Sequence, residues 1–235
     1  MQAYLEGMSQ LLTDKDRPLH RAQLGDSLST VARARTLTVL TRLDGERKGS
    51  VVRFLYESGL ITMVGPILAL HDSDLSEANL IGANLLRAGL RGANLSRANL
   101  DDADLSGADL SESVLHMAHL IQANLFRANL IQANLSEADL RYADLSGTLL
   151  SGTLLSGAHL NKTNLSQAKL TQANLGRANL REANLSGADL SGTFLREADL
   201  RRARGVTKDQ IADALDLEGA TMPNGQKYED WLKDK

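Results

Sequence analysis

The side chains of this sequence best suited to chemistry are a few histidines and one carboxylate in its middle. His119, Asp139 and His159 follow one another at intervals of 20 residues, and His116 lies close by. Imidazole and carboxylate groups bind divalent metals, and histidine changes its charge near neutral pH. Metal ligands must converge to about 2 Å from the ion. The elements that carry these residues therefore decide whether they can act together.

Other catalytic groupings are missing from the sequence. It has no P-loop, no H-E-x-x-H and no G-x-S-x-G motif, and its many serines recur without an obvious base beside them. Cysteine is absent, which excludes disulfides and thiolate metal sites. We therefore expect no catalytic residue, no cofactor and no metal site, and we predict that the protein is not an enzyme.

A five-residue repeat dominates the chain. Leucine occupies all 26 positions counted in fives from Leu75 to Leu200, and Ala, Ser or Thr stands two residues before each. The unit reads A-(N/D)-L-(S/R)-X, as in ANLSRANLDDADLSGADL. Five residues advance about 500° on an α-helix, so the leucines would spiral around it and form no apolar face. The repeat therefore excludes a regular helix from about Ser73 to Ala203.

Short strands joined by bends fit the repeat. Residues two apart share one side of a strand, which places Ala and Leu inward and the Asn or Asp between them outward. The two remaining residues must turn a corner, and Gly, Ser, Asn and Asp suit that role. One pentapeptide cannot bury enough apolar surface to offset its ordering, so successive coils must stack. Predicted core residues include Leu95, Leu100, Leu105, Leu110, Leu125 and Leu130.

Charges at the second residue after each Leu favour four sides per coil. Directly opposed like charges destabilise neighbouring strands, although exposed pairs contribute only about 0 to 1 kcal/mol each. Three sides would stack residues 15 apart and oppose Lys162 to Arg177 and Glu182 to Glu197. Four sides would stack residues 20 apart and give only opposite-charge neighbours: Glu77 with Arg97, Lys162 with Glu182, Arg177 with Glu197, and Glu182 with Arg202.

The unbroken A-(N/D)-L-X-X register resembles that of the pentapeptide-repeat family over about 130 of the 235 residues. The resemblance implies an all-β solenoid, a right-handed quadrilateral parallel β-helix; the handedness rests on the resemblance alone. On such a coil His119, Asp139 and His159 form one outward column, with the two histidine backbones about 10 Å apart. We interpret the column as solvated side chains and not as a metal site.

The two flanks depart from the repeat. We predict a helical N-terminal segment or cap over residues 1–70, the β-helix over 71–204, and a C-terminal cap with short helices over 205–235, in which Thr207 and Gln210 form a capping box. Caps are expected because unpaired strand edges invite aggregation. The N-terminal segment is also similar to regions that precede pentapeptide repeats in some bacterial proteins with upstream membrane helices. This resemblance implies an alternative in which an anchor precedes this chain.

Large apolar residues stand at several repeat positions that normally face solvent. Contiguous exposed apolar surface usually marks a contact site, and the alternative is scattered single residues or residues covered by the flanks. A contact patch at these positions implies a protein partner or self-association. The candidate interaction residues are Val114, Ile121, Phe126, Ile131, Leu149, Leu154 and Phe194.

Composition bounds the remaining functions. A formal net charge of −3 gives no strong attraction to nucleic acid or anionic membranes. No apolar run reaches the roughly 18 residues of a membrane span and no signal peptide is evident, so we expect a cytoplasmic protein, or one at the cytoplasmic face of a membrane if an anchor precedes it. We predict a non-catalytic scaffold or protein-interaction module. The alternative, which the resemblance implies, is a DNA mimic that modulates or protects a type II topoisomerase such as gyrase.

Overall fold

A computed structural model describes residues 1–16, 18–61, 68–231 and 233 of the chain. Helices stand at both ends of the described chain and a stack of coils lies between them. No helix in these ranges is long and apolar enough to cross a bilayer. The helices are α1 (Gln2–Thr13), a 3-10 helix (Leu19–Arg21), α2 (Ser27–Leu40), α3 (Gly45–Glu57), α4 (Lys208–Ala212) and α5 (Tyr228–Trp231).

The repeat region forms a parallel β-helix with 20 residues in each coil. Single-residue parallel bridges join residues 20 apart, from Asp74 with Asn94 to Asn184 with Arg204. The Leu95 amide, for example, donates to the Val114 carbonyl at 2.7 Å in the next coil. Each coil contributes a bridging residue every five positions, so four columns of bridging residues run along the rod.

Leucine and alanine fill the inside of the coils. The predicted core residues are all 0 % exposed: Leu95, Leu100, Leu105, Leu110, Leu125 and Leu130. Serine and threonine replace alanine at some inward positions, where they are also buried. Five of the six hydroxyls donate to leucine carbonyls, as from Ser113 to Leu110 at 2.6 Å and from Thr153 to Leu130 at 2.8 Å. The sixth, Ser73 of the first coil, is buried without a hydrogen-bond partner among the described residues. At the other five positions a buried hydroxyl is tolerated because it has a hydrogen-bond partner.

Every corner of the coils contains a residue with positive φ, the second after each leucine. Nineteen of these are not glycine and have φ between 55° and 63°. The corner closes with a hydrogen bond such as Ala98 N–H to Leu95 O, at 3.0 Å, as in a type II turn. The preceding Asn or Asp braces it: Asn94 Oδ1 accepts from the Ser96 amide at 3.1 Å and from its hydroxyl at 2.6 Å. These half-buried side chains therefore hold the corners, a role that strand alternation alone does not predict.

Helices α2 and α3 lie against the N-terminal edge of the first coil. The Gly45 carbonyl accepts from the Asn79 amide at 2.9 Å. The buried Lys48 ammonium donates to Ser76 O at 3.0 Å and pairs with Asp74 at 3.2 Å. Arg33 of α2 donates to the Ala69 and His71 carbonyls at 3.0 and 2.8 Å. These contacts satisfy backbone groups that a bare coil would leave unpaired.

The C-terminal edge is covered by the chain itself. After α4, whose Thr207 and Gln210 form a capping box, the backbone rejoins the ladder through bridges of Phe194 with Leu215 and Asp199 with Thr221. Those intervals are 21 and 22 residues, because α4 and its loops insert extra residues into the last turn. Leu217, Ala220 and Met222 then continue the core.

Two glycines on one face of α3 allow its close approach to the first coil. A Cβ added at Gly45 would collide with the carbonyl oxygen of Glu77, and one at Gly49 with that of Asn79. Neither carbonyl can move freely, because the amide of the same peptide unit is bonded: Ala78 N–H donates to Leu75 O at 3.1 Å and Leu80 N–H to Asn99 O of the next coil at 2.7 Å. The spacing of four residues between the glycines places both on the side of α3 that contacts the coil.

We expect Gly49→Ala to lower the free energy of unfolding by about 1 to 3 kcal/mol, because the added methyl forces α3 away from the coil edge. Gly7→Ala in α1 is the matched control. A Cβ at Gly7 meets nothing within 4 Å, and alanine favours the helix by about 0.5 to 1 kcal/mol. Urea denaturation measures both changes. Equal effects of the two substitutions would contradict the close packing of α3.

Candidate interaction surface

One column of bridging residues carries an exposed apolar series along the rod. We call it the Leu154 column; from the first coil to the last it contains Asp74, Asn94, Val114, Asn134, Leu154, Asn174, Phe194 and Leu215. Val114 is half-buried, whereas Leu154, Phe194 and Leu215 are 45 %, 41 % and 50 % exposed. The five-residue register cannot locate Leu215, because the α4 insertion shifts it. Its position beside Phe194 emerges only from the bridge pattern.

The other candidate residues lie elsewhere on the rod. Leu149 is 41 % exposed but belongs to the neighbouring column, between Asn129 and Lys169. Ile121, Phe126 and Ile131 stand at three successive corners of one coil. Ile121 and Ile131 are half-buried there, and only Phe126 is exposed, with the Arg127 guanidinium 4.9 Å from its ring centroid. The seven candidates therefore do not form one surface. The Leu154 column brings three of them together.

Small residues surround Leu154. Ser151 and Gly152 lie at the corner before it, and Ser156 and Gly157 lie at the corner after it. Both glycines have positive φ, 67° and 68°. No long side chain of its own coil rises beside Leu154, so a flat surface could come into contact with its methyl groups.

The ion pairs at the corners only partly follow the 20-residue register. Arg177 pairs with Glu197 at 2.9 Å, as the charge pattern predicts. Within the described part of the chain the other three predicted pairs form no ion pair: Glu77 with Arg97, Lys162 with Glu182, and Glu182 with Arg202. Lys162 instead lies 5.3 Å from the ring centroid of Tyr142. Solvation competes with exposed pairs, so coil stacking alone does not decide which of them form.

In the column of His119, Asp139 and His159, the central carboxylate is hydrogen-bonded to an arginine. Bridges join His119 to Asp139 and Asp139 to His159, so the three residues are neighbours along the rod. The Asp139 carboxylate accepts several hydrogen bonds from Arg141, the shortest at 2.8 Å from Nε and 2.7 Å from Nη2. Among the residues that the structure describes, no three His, Asp or Glu side chains are placed to hold a metal ion. His116 Nδ1 lies 3.0 Å from the Ser136 carbonyl.

A sequence model of pentapeptide repeats matches this part of the chain in 8 copies, over residues 73–111, 103–141, 118–157, 138–177, 149–186 and 178–204. The chain belongs to the pentapeptide-repeat family. Its coils accordingly form a right-handed β-helix. No curated protein matches the chain.

Several solved structures are similar to this pentapeptide-repeat protein. Rfr23, a pentapeptide repeat protein of the cyanobacterium Cyanothece 51142, is 38 % identical over 46 % of this chain and 61 % of its own, with a TM-score of 0.34. This chain thus spans about three fifths of Rfr23. QnrB1, a plasmid-mediated fluoroquinolone resistance protein, is 21 % identical over 69 % and 84 %, with a TM-score of 0.36. A thylakoid-lumen pentapeptide repeat protein of Arabidopsis thaliana is 25 % identical over 62 % and 91 %, with a TM-score of 0.31.

The pKa of Asp139 lies below its usual value. Partial burial by itself raises this pKa, but the hydrogen bonds and charge of Arg141, and the nearby His159, outweigh that effect. The folded protein therefore holds the Asp139 proton less tightly than the unfolded chain, whose Asp pKa is about 3.9. The stability that Asp139 contributes is present above that pH and is lost as the pH falls through the lowered pKa.

We expect Asp139→Asn to cost about 0.5 to 1.5 kcal/mol at pH 7, since the charge-assisted bonds to Arg141 are weakened. The cost should shrink as the pH falls from about 3.9 through the lowered pKa of Asp139, because the wild-type carboxyl becomes protonated there. Denaturant unfolding of both proteins between pH 7 and this acidic range measures the difference in their free energies of unfolding. The other carboxyl groups contribute equally to both proteins, so their contributions cancel in the difference. A difference that stays constant with pH would show that the Arg141 contact contributes nothing through charge.

Proposed function

We propose that this pentapeptide-repeat protein is a non-catalytic, rigid interaction module. In this proposal the coils form a quadrilateral rod, the helical segments cap its ends, and the Leu154 column binds another protein chain. The observation that carries the proposal is the exposure of Leu154, Phe194 and Leu215 in line on a scaffold that cannot rearrange to bury them. An aligned apolar series of this kind is typical of contact sites.

The energetics of this repeat position support a function for Leu154 and Phe194 other than stabilising the fold. At the same repeat position Asn134 and Asn174 each accept a corner amide hydrogen bond at 3.0 Å. A residue such as Leu154 or Phe194 has no side-chain oxygen and gives up that bond, whose net value is about 0.5 to 1.5 kcal/mol. The apolar side chain recovers little in return, because it stays exposed. Sites that break a local rule without a structural gain are candidates for function.

Rigidity follows from the ladder of backbone hydrogen bonds. Each coil is bonded to the coil before it and the coil after it, and the leucines inside are fully buried. A partner therefore meets a preformed surface and loses little free energy in ordering it. Phe194 is the largest exposed residue of the column, and aromatic side chains frequently act as interface anchors.

The charge of the rod argues against the alternative, a DNA mimic that acts on gyrase. Residues 71–204 contain 15 acidic and 13 basic residues, a net charge of −2. Duplex DNA of comparable length, about 30 Å, carries about 18 negative charges. We expect no effect on gyrase-catalysed supercoiling when this protein is titrated in. Inhibition, or protection from a quinolone, at stoichiometric amounts would favour the alternative.

Site-specific photo-crosslinking tests the proposal directly. A benzophenone amino acid at position 194 should yield a defined crosslinked protein in the cells that produce this chain. Position 159 provides the matched control, since His159 holds the same place in the repeat and is exposed in the adjacent column. Crosslinks no stronger at 194 than at 159 would show that the Leu154 column is not a contact surface.

A further inference from the structure

The charge of the rod is polarised along its axis. The first four coils, residues 71–150, contain 11 acidic and 5 basic residues, a net charge of −6. The remaining repeats, residues 151–204, contain 4 acidic and 8 basic residues, a net charge of +4. The small total charge therefore conceals an acidic half and a basic half, which meet at the coil of Leu154.

Over two coils in each direction, the Leu154 column is symmetric in residue type about Leu154. One coil before Leu154 lies Asn134 and one coil after it lies Asn174. Two coils before it lies Val114 and two coils after it lies Phe194. With coils about 4.8 Å apart, the apolar residues are spaced by about 10 Å on each side. The pattern is thus the same over two coils in both directions from Leu154, and it differs three coils out, where Asn94 lies on one side and Leu215 on the other.

We propose that this face binds a second copy of the chain in an antiparallel dimer whose two-fold axis passes beside Leu154. The inference rests on the proposed function and names the occupant of the Leu154 column. A two-fold axis perpendicular to both rods places each residue opposite the one equally far beyond the centre. Leu154 then contacts its own copy, and Phe194 of each rod contacts Val114 of the other.

Charge selects the antiparallel arrangement. It places the acidic half of each rod along the basic half of the other, and it does so twice because of the symmetry. A parallel pair would place the two acidic halves side by side and the two basic halves side by side, and the repulsion between like charges costs free energy. The apolar pattern alone permits both directions, so the polarity of the charge decides between them.

One pair of corner residues follows from this geometry. Gly157 lies at the corner beside Leu154, with Glu137 one coil before it and Arg177 one coil after it. In the antiparallel dimer Glu137 of each rod therefore faces Arg177 of the other. Glu137 is exposed, and the Arg177 side chain, 75 % exposed, can contact it while remaining near Glu197. The small residues around Leu154 let the two faces approach closely.

The expected affinity is modest. The Leu154 column spans about 34 Å from its first coil to its last, but a five-residue side is narrow. The contact is therefore smaller than the roughly 800 Å² that each partner contributes to a standard interface. We expect a dissociation constant in the micromolar range that rises about tenfold or more with added salt, as the attraction between the halves is screened.

Sedimentation of the full chain at roughly 5 to 500 μM tests the dimer, with the concentrations chosen to span micromolar affinities. Leu154→Asn and Phe194→Asn should each abolish or strongly weaken it. Asparagine braces the corner at this repeat position in Asn134 and Asn174, so both variants should have melting temperatures equal to or slightly above that of the wild type. Leu149→Asn is the control, because Leu149 has the same repeat position and similar exposure, 41 % against 45 % for Leu154, in the neighbouring column.

Charge reversal tests the orientation. Glu137→Arg and Arg177→Glu should each weaken the dimer, and the double variant should restore it, because opposite charges again face each other. Arg87→Glu, at an exposed corner away from the column, should have little effect. A double variant as weak as the single ones, or equal loss in Leu149→Asn, would overturn this arrangement.

The failure of this inference is distinguishable from the failure of the proposed function. A wild-type chain that stays monomeric up to 500 μM, a limit well above micromolar affinity, overturns the dimer. Crosslinking of position 194 to a different protein in that case still supports the interaction module. Crosslinking of position 194 to a second copy, together with the expected sedimentation, supports both.

Discussion

The stacking of one coil on the next is the constraint on which the rest of this protein depends. A pentapeptide buries one leucine, and apart from the corner bond its backbone hydrogen bonds are made with the coils on either side. Burying a leucine is worth roughly 1.5 to 3 kcal/mol, whereas ordering five residues costs more than that. Each coil is therefore stable only within the stack. Regularity along the axis follows, since an insertion in one coil would disturb both of its neighbours.

The same constraint explains the ends of the rod. The first coil has no neighbour on one side, and α3 replaces it through the Gly45 carbonyl and the buried Lys48, at a distance that only glycine allows. The last coil is covered by the segment that follows α4, in which Leu217, Ala220 and Met222 continue the buried apolar core. The insertion of α4 is tolerated there because no further regular coil has to stack on it. Breaks in the repeat therefore occur at the two ends of the rod, where they do not interrupt the hydrogen bonds between regular coils.

Stacking occupies the inside and the corners and leaves the outward column positions free to vary. The fold sets a preference even there, since Asn or Asp braces the corner that follows. Leucine and phenylalanine at these positions weaken that local support and gain no burial. The symmetry of the Leu154 column and the charge reversal at the same coil concern only this free surface. Function in such a protein is therefore carried by departures from the repeat on a scaffold that the repeat makes rigid.

The sequence by itself determined the period of five, the inward Leu and Ala, the bends at the corners, the 20-residue stacking interval and the capping box of Thr207. These features are local or repeat many times, so a pattern in the chain reports them directly. Only the tertiary structure decided that Asn94 and its equivalents brace the corners and that the Asp139 carboxylate is hydrogen-bonded to Arg141. It also decided that one of the four stacked charge pairs forms and that Leu215 extends the Leu154 column. Each of these depends on a distance between side chains or on a register shift at an irregular end. A repeating pattern does not specify such distances, because solvent, neighbouring side chains and the insertion of α4 act differently at each position.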